Sequence, residues 1–353
     1  MLNTQAWSRF VYAFLFLSVT STPLLGQQNV DNVAIIDGIQ FTLADGLRIE
    51  KVAGESLVKW PIVADWDNQG RLVVAESGGV SKPIIEHNEK KLHKIIRLVD
   101  VDHDGIFDQR IAAADKLSFP EGVLCVGNEI LVAAPPVIWK LTDADEDGVC
   151  EKREVWFDGQ TITGCANDLH GPYLGPDGWV YWCKGAFAKQ THSLLDGRTI
   201  ESSAAHIYRR KLSGGDVEQV ITGGMDNPVE VAFTPEGEAF FTSTFLRHPG
   251  NGLRDGIAHA VYGGVYGKEN AVLDGHPRTG ALMPIMTQLG PAAPSGLACL
   301  HSNHLVATEQ HSDSRVLVAA LFNLQKVTAH QLIPKGALVS TQIDRFDIDC
   351  RMG

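Results

Sequence analysis

Two short acidic segments carry the most explicit chemistry in this chain. The first reads Ile95-Ile-Arg-Leu-Val-Asp100-Val-Asp102-His-Asp104-Gly105-Ile-Phe-Asp108. The second, Ile138-Trp-Lys-Leu-Thr-Asp143-Ala-Asp145-Glu-Asp147-Gly148-Val-Cys-Glu151, repeats it at a constant offset of 43 residues. Carboxylates at alternate positions converge on one point as the chain curls. The glycine that follows the third permits the bend, and Asp108 or Glu151 in the ninth position supplies a further oxygen. Such a ligand set suits a hard cation, so structural Ca²⁺ is expected at Asp100, Asp102, Asp104 and Asp108, and at Asp143, Asp145, Asp147 and Glu151. Neither segment is an EF-hand, because strand-like residues precede both and the twelfth position is Ile111 in the first and Glu154 in the second. The alternative is a pair of solvated acidic turns.

A second polar group emerges from the repeat that must position it. A proline or polar residue, an apolar strand, an Asp/Asn/Gly turn and a second apolar strand recur five times, at Pro61–Glu76, Pro120–Ala133, His170–Trp182, Pro228–Thr242 and Pro294–Thr308. Glycine and asparagine accept the positive φ of a tight turn, so each block predicts a hairpin. The turns fall at 70, 128, 178, 237 and 303, which leaves room for two further strands per repeat and too little for a crossover helix in each. The expected fold is all-β, a β-propeller of the six-bladed type with five recognisable blades, and a β-sandwich is the alternative. In a propeller, residues before the first strand and after the second share one mouth. Glu121, Asn167, Asp168, His170, Glu230 and Ser295 should meet Glu76, Lys184, Arg247, His248, Glu309 and His311 there, unless they only cap strand ends and hold channel water.

Bulk properties exclude several classes. A formal charge of −12 over 353 residues leaves no basic stripe for phosphates, so nucleic acid is not expected as a partner. Arg9 precedes an apolar run from Phe10 to Leu17 and then Leu24-Leu25-Gly26, the pattern of a signal peptide over 1–26. A periplasmic or secreted protein follows, with no transmembrane span after signal removal. The remaining expected boundaries are a leader over 27–45, the propeller over 46–340 and an irregular tail over 341–353. Six cysteines lie beyond the signal with no metal-ligand spacing, and among their pairings Cys165–Cys183 is preferred. No Cys-x-x-Cys-His occurs, so an electron-accepting haem domain is absent from this chain.

Leu47–Ala53 together with Pro61–Glu76, the Asp-x-Asp-x-Asp-Gly loops and Gly175-Pro-Asp-Gly-Trp-Val-Tyr181 resemble a known group. It is the planctomycete-type membrane-bound dehydrogenase N-terminal β-propellers, which are similar in turn to quinoprotein glucose/sorbosone dehydrogenases. The resemblance spans roughly residues 46–340. It implies six blades, closed by an N-terminal strand for which Leu47–Ala53 is the candidate. After the fifth repeat Val327–Ile333 can finish a blade, so the chain reads as a truncated member whose ring is open or closes on five.

The resemblance also implies oxidation of a carbohydrate or sugar-derived alcohol by pyrroloquinoline quinone (PQQ) at the mouth. His170 would be the proton acceptor and Arg247 the group orienting a carboxylate, with Asn167, Glu121, Glu230, Lys184 and His311 around the cofactor. In those relatives the basic histidine lies about eight residues before the Gly-x-Asp turn. Asn167 holds that place here, three residues from His170. Two other functions compete: a non-catalytic propeller recognising a glycan or protein, and a Ca²⁺-dependent hydrolase of lactonase type using oxygens of Glu121, Asn167, Asp168 and Glu230. No Gly-x-Ser-x-Gly elbow, phosphate-binding loop or His-Glu-x-x-His helix is present.

Overall fold

The computed structural model describes residues 32–44, 47–163, 169–301, 315–335 and 338–352. The chain begins with a hairpin, β1 (Val33–Ile36) and β2 (Ile39–Thr42). Five sheets follow in chain order. Blade I holds β3 (Pro61–Trp66), β4 (Leu72–Glu76), β5 (His93–Val99) and β6 (Gln109–Leu117), with helix α1 (Ile84–Lys90) between its second and third strands. Blade II holds β7 (Gly122–Val126), β8 (Glu129–Ala134), β9 (Val137–Thr142) and β10 (Lys152–Asp158).

Blade III is built on β11 (His170–Leu174) and β12 (Trp179–Lys184). A small hairpin, β13 (Gln190–Ser193) and β14 (Thr199–Ser202), interrupts it before β15 (Ala205–Lys211) and β16 (Gly214–Gly223). Blade IV holds β17 (Asn227–Phe233), β18 (Ala239–Thr244), β19 (Asp255–His259) and β21 (Thr287–Gly290), and the short β20 (Val265–Tyr266) pairs parallel to β16. Blade V holds β22 (Pro294–His301), β23 (Arg315–Leu321), β24 (Lys326–Lys335) and β25 (Leu338–Met352), and β2 and β1 extend it.

The strands read as continuous apolar runs because both faces of each sheet are buried. Side chains alternate between the faces, so β8 sends Ile130, Val132 and Ala134 into the core shared with blade I and Leu131 and Ala133 into the core shared with blade III. β12 divides Val180 and Trp182 from Tyr181 and Cys183, and β18 divides Phe240 from Phe241, by the same rule. Four cores thus join blades I to II, II to III, III to IV and IV to V. The innermost strands β3, β7, β11, β17 and β22 line one cavity of about 350 Å³. A shared axial cavity is the property of a propeller and not of two facing layers, which settles the fold against a sandwich.

Close approach at the axis demands small residues. A Cβ on Gly122 would meet the carbonyl oxygen of Gly171 at 1.6 Å, so β7 and β11 can adjoin only through glycine. The repeat's prolines have a companion role. Register shifts interrupt the pairing of β3 after Pro61, of β11 between His170 and Tyr173, of β17 between Pro228 and Val231, and of β22 after Pro294. Proline cannot donate to a ladder, so a bulge where the inner strand begins accommodates it and re-aims the neighbouring side chains.

Three expected features differ. The tail is not irregular: β25 pairs along β24 and, at Asp349–Met352, along β2. Phe346, Ile348 and Cys350 alternate with polar residues, which is the period of a strand. Leu47–Ala53 forms no strand; the hairpin inside the expected leader takes the outer place on blade V instead. The segment 43–58 also covers the seam. Leu43 and Ile49 pack under blade V, while Val52, Ala53 and Val58 cover the face of blade I formed by Leu72, Val74, Ile96 and Leu98. Among the described residues no buried core joins blades V and I directly, so this connector occupies the flank where a further blade would pack.

Candidate functional site

Glu121, His170 and Asn227 stand at equivalent places on three consecutive inner strands, immediately before β7 and at the first positions of β11 and β17. The backbone fixes each end: the Glu121 N–H donates to Ala133 O at 2.7 Å, His170 pairs with Cys183, and the Asn227 carbonyl accepts from Ser243 Oγ at 3.2 Å. Glu121 Oε2 lies 3.2 Å from His170 Nδ1. Burial pushes the imidazole down to about 4, with the Asn227 amide offsetting part of the shift. The ring is therefore neutral at physiological pH, with a carboxylate at Nδ1. Its Nε2 is buried without a hydrogen-bond partner, and His170 stands at the strand end, outside the lining of the cavity below.

That cavity, the axial channel, contains two carboxyl groups, Asp65 of β3 and Glu230 of β17, and no Lys or Arg among its described lining residues. Glu230 occupies the bulge of β17, which turns it into the channel rather than to the mouth. Burial raises its acid constant to about 8, and the Tyr173 hydroxyl offsets part of that rise. Tyr173 itself donates to Val229 O at 2.7 Å. Asp65 is also raised by burial, although its oxygens accept from the N–H groups of Cys125 and Trp66, each at 2.8 Å. Sequence reasoning missed Asp65; a lone acid inside the apolar run Pro61-Ile-Val-Ala-Asp-Trp was the available signal.

Other expected members of the constellation are engaged elsewhere. Lys184 is fully buried, and its Nζ donates to Gly185 O at 2.8 Å and Ala204 O at 2.9 Å. Glu76 receives both Arg110 guanidinium nitrogens, at 2.9 and 2.8 Å, on blade I. Arg247 is exposed in the β18–β19 loop, and no contact joins it to His170 among the described residues. Asn167, Asp168, Glu309 and His311 lie outside the described residues, as does Cys165. Cys183 is a free thiol buried between blades III and IV, and the expected Cys165–Cys183 pairing falls on a residue outside the described ones. The chain has also placed a larger cavity, about 750 Å³, outside blade III, between the β13–β14 hairpin and the loop carrying His276. His276 lines it, and behind that ring Ser202 Oγ lies 2.6 Å from His206 Nε2 and 3.0 Å from His276 Nε2, a feature no motif announced.

The acidic loops sit between the third and fourth strands of blades I and II. In the second, Asp143, Asp145, Asp147 and Glu151 bring oxygens within 4.8 Å of one another. In the first only Asp100, Asp102 and Asp108 converge; Asp104 is outside that group, and its Oδ1 accepts from the Ile106 N–H at 2.7 Å.

Fold and channel together define a β-propeller. The structure is similar to that of a protein described as an oxidoreductase (glucose dehydrogenase) from Thermus thermophilus, with a TM-score of 0.56 at 17% identity over 85% of this chain and 87% of that one. It is similar also to the PQQ domain of pyranose dehydrogenase from Coprinopsis cinerea, TM-score 0.57 at 12% identity over 87% and 83% of the two chains. The PQQ-bound aldose sugar dehydrogenase of Streptomyces coelicolor gives 0.50 at 14% identity over 82% and 84%. Residues 39–282 match the family model described as "Domain of unknown function (DUF7133)", and the chain belongs to that family. No curated protein matches the sequence. Among the described residues, no helix is long and apolar enough to cross a membrane.

PQQ carries three carboxylates and needs cations or amide donors to hold them. The described lining of the channel does not fit that demand: it offers two carboxyl groups and no Lys or Arg, and Lys184 is committed to backbone carbonyls.

Proposed function

We propose that this chain is an exported, periplasmic or secreted propeller that binds a neutral carbohydrate in the axial channel, on the fold used by quinoprotein sugar dehydrogenases. The observation that carries this reading is a cavity of about 350 Å³ that holds two carboxyl groups, Asp65 and Glu230, and no Lys or Arg among its described lining residues. Glu230, held protonated by burial, both donates and accepts, and Asp65 adds acceptor oxygens, which matches vicinal hydroxyls. The aliphatic and aromatic walls, Val63, Leu124, Tyr173 and Phe233, suit the C–H faces of a sugar ring. An anionic ligand would meet two acids and no counter-charge. Calorimetric titration with a panel of neutral mono- and disaccharides tests the reading. Binding weakened at least tenfold by Glu230→Ala is the expected result; a protein that takes no neutral sugar but takes PQQ overturns it.

The second reading is oxidation of the bound carbohydrate. It is supported by His170 at the strand ends, where a neutral imidazole 3.2 Å from Glu121 offers Nε2 as the proton acceptor for a hydroxyl that reaches it. The electron acceptor this reading requires is PQQ, so oxidation depends on a group whose carboxylates the described residues do not meet. Dye reduction on an aldose panel after PQQ titration, in the native protein and in His170→Gln, separates the readings. Quinone-dependent turnover lost in His170→Gln supports oxidation, and sugar binding without turnover supports recognition alone.

A further inference from the structure

The two acidic loops share a sequence pattern but not a setting. In the first loop both oxygens of the leading carboxylate are already used: Asp100 Oδ1 accepts from the Asp104 N–H at 3.2 Å and Oδ2 from the Gly105 N–H at 2.9 Å. The loop tip stands free, and a Cβ on Gly105 would meet nothing within 4 Å. In the second loop the leading carboxylate is Asp143, only 1% exposed. Its Oδ2 accepts from Arg97 Nη1 and from the Gly148 N–H at 3.1 Å. Its Oδ1 is buried and has no hydrogen-bond partner at all. An ionised oxygen without a donor is costly in the interior, so this atom asks for a positive ligand.

The surroundings supply a frame for one. Arg97 lies between Asp143 and Asp67, while Arg71 bonds Asp67 Oδ2 through Nε at 2.7 Å and has its Nη2 3.9 Å from Asp143 Oδ2, so two buried acids face two buried guanidinium groups. That balance is internal to the cluster and leaves the charges of Asp145, Asp147 and Glu151 uncompensated at the loop surface. The same loop is docked on blade I: the Cys150 N–H donates to Ala113 O at 2.9 Å, and a Cβ on Gly148 would meet Ile111 Cδ1 at 2.9 Å.

We propose that the Asp143 loop, and not the Asp100 loop, holds one hard divalent cation, with calcium as its natural size class, coordinated by Asp143, Asp145, Asp147 and Glu151. Four carboxylate oxygens within 4.8 Å and one donorless buried oxygen form the ligand set. Bound there, the ion fixes the β9–β10 loop of blade II against β6 of blade I, so it acts as a clamp between blades and takes no part in the channel.

The test is equilibrium dialysis of the full chain against calcium at about 5 mM, above the weak end of known oxygen-ligand sites. The bound ion is then counted in the native protein, in Asp147→Asn and in Asp102→Asn. One ion lost in Asp147→Asn and kept in Asp102→Asn is the expected result. The absence of any ion removed by Asp147→Asn, or loss of an ion in Asp102→Asn, overturns the proposal. Thermal unfolding supplies a second readout, since free calcium at 100 times its dissociation constant shifts the folded-to-unfolded ratio about 100-fold. That shift should appear in Asp102→Asn and vanish in Asp147→Asn. Asp143→Asn is a poorer probe, because it would also unbalance Arg97. Metal counting is independent of sugar binding, so failure of the channel reading leaves this result interpretable.

Discussion

Replacing Glu230 by glutamine should flatten the dependence of stability on pH between about pH 6.5 and about pH 8. The folded chain holds the Glu230 proton up to about 8, whereas an unfolded chain releases it near the ordinary 4.5. Between those values the native state binds more protons than the unfolded state, so the contribution is complete below about 4.5 and is lost as pH rises through about 8. Each unit corresponds to about 1.4 kcal/mol, which caps the loss from pH 6.5 to 8 at about 2 kcal/mol. Glu230 borders the channel and is only partly buried by area, so water there reduces the expected loss to about 1 kcal/mol. His170 acts in the opposite sense, but only between about 4 and 6.5, where its depressed constant makes stability fall as pH falls. The chosen window therefore isolates the glutamate. Urea unfolding of both proteins across it provides the assay, and glutamine keeps the shape of the protonated acid. Parallel pH profiles for the native protein and Glu230→Gln would refute the burial argument and, with it, the neutral-ligand reading of the channel.

Three further outcomes follow from the packing. Arg97→Met leaves Asp67 and Asp143 facing one another with one guanidinium fewer, and should cost about 3–5 kcal/mol in urea unfolding without calcium; a second substitution, Asp143→Asn, should restore part of it. Trp182→Ala empties the core between blades II and III, where the ring meets Trp156 edge-on at 5.5 Å, and should cost about 3–5 kcal/mol by the same measure. Gly122→Ala forces a Cβ onto the Gly171 carbonyl, so it should open the β7–β11 contact and expose blade II to limited proteolysis, whereas Gly127→Ala, in open space, should cost only the strain of its positive φ.

The blades were legible because their signal is local. Pro228-Val-Glu-Val-Ala-Phe, a glycine turn and Ala239-Phe-Phe-Thr specify a hairpin without reference to the rest of the chain, and repetition of that unit implies an axis. Strands that pair far from their own repeat were not legible in this way. β2 and β25 are separated by almost the whole sequence, and neither carries a turn that names its partner. Site residues divided on the same line. Glu121 and His170 stand at one end of the inner strands, which strand order alone decides. Lys184 ends β12 beside Cys183, the partner of His170, and what strand order does not specify is its burial, which the carbonyls of Gly185 and Ala204 decide.

The paired loops extend this point from placement to chemistry. Their carboxylates occupy corresponding positions, and both have non-glycine residues in the left-handed region at His103 and Glu146 followed by glycines at positive φ, so the backbones curl alike. What separates them is the neighbour each blade meets. Blade II presents its loop to Arg71, Arg97, Ile111 and Ala113 of blade I, and that contact buries Asp143 and strips one oxygen of donors. Among the described residues no blade packs on blade I in the same relation; its flank meets the connector through Val52 and Phe107, and Asp100 remains half-exposed with both oxygens on its own loop's N–H groups. A repeated motif at the end of a ring is thus chemically different from its copy inside it. The packing partner, rather than the motif, determines whether the acids of such a loop are a ligand set or a solvated turn.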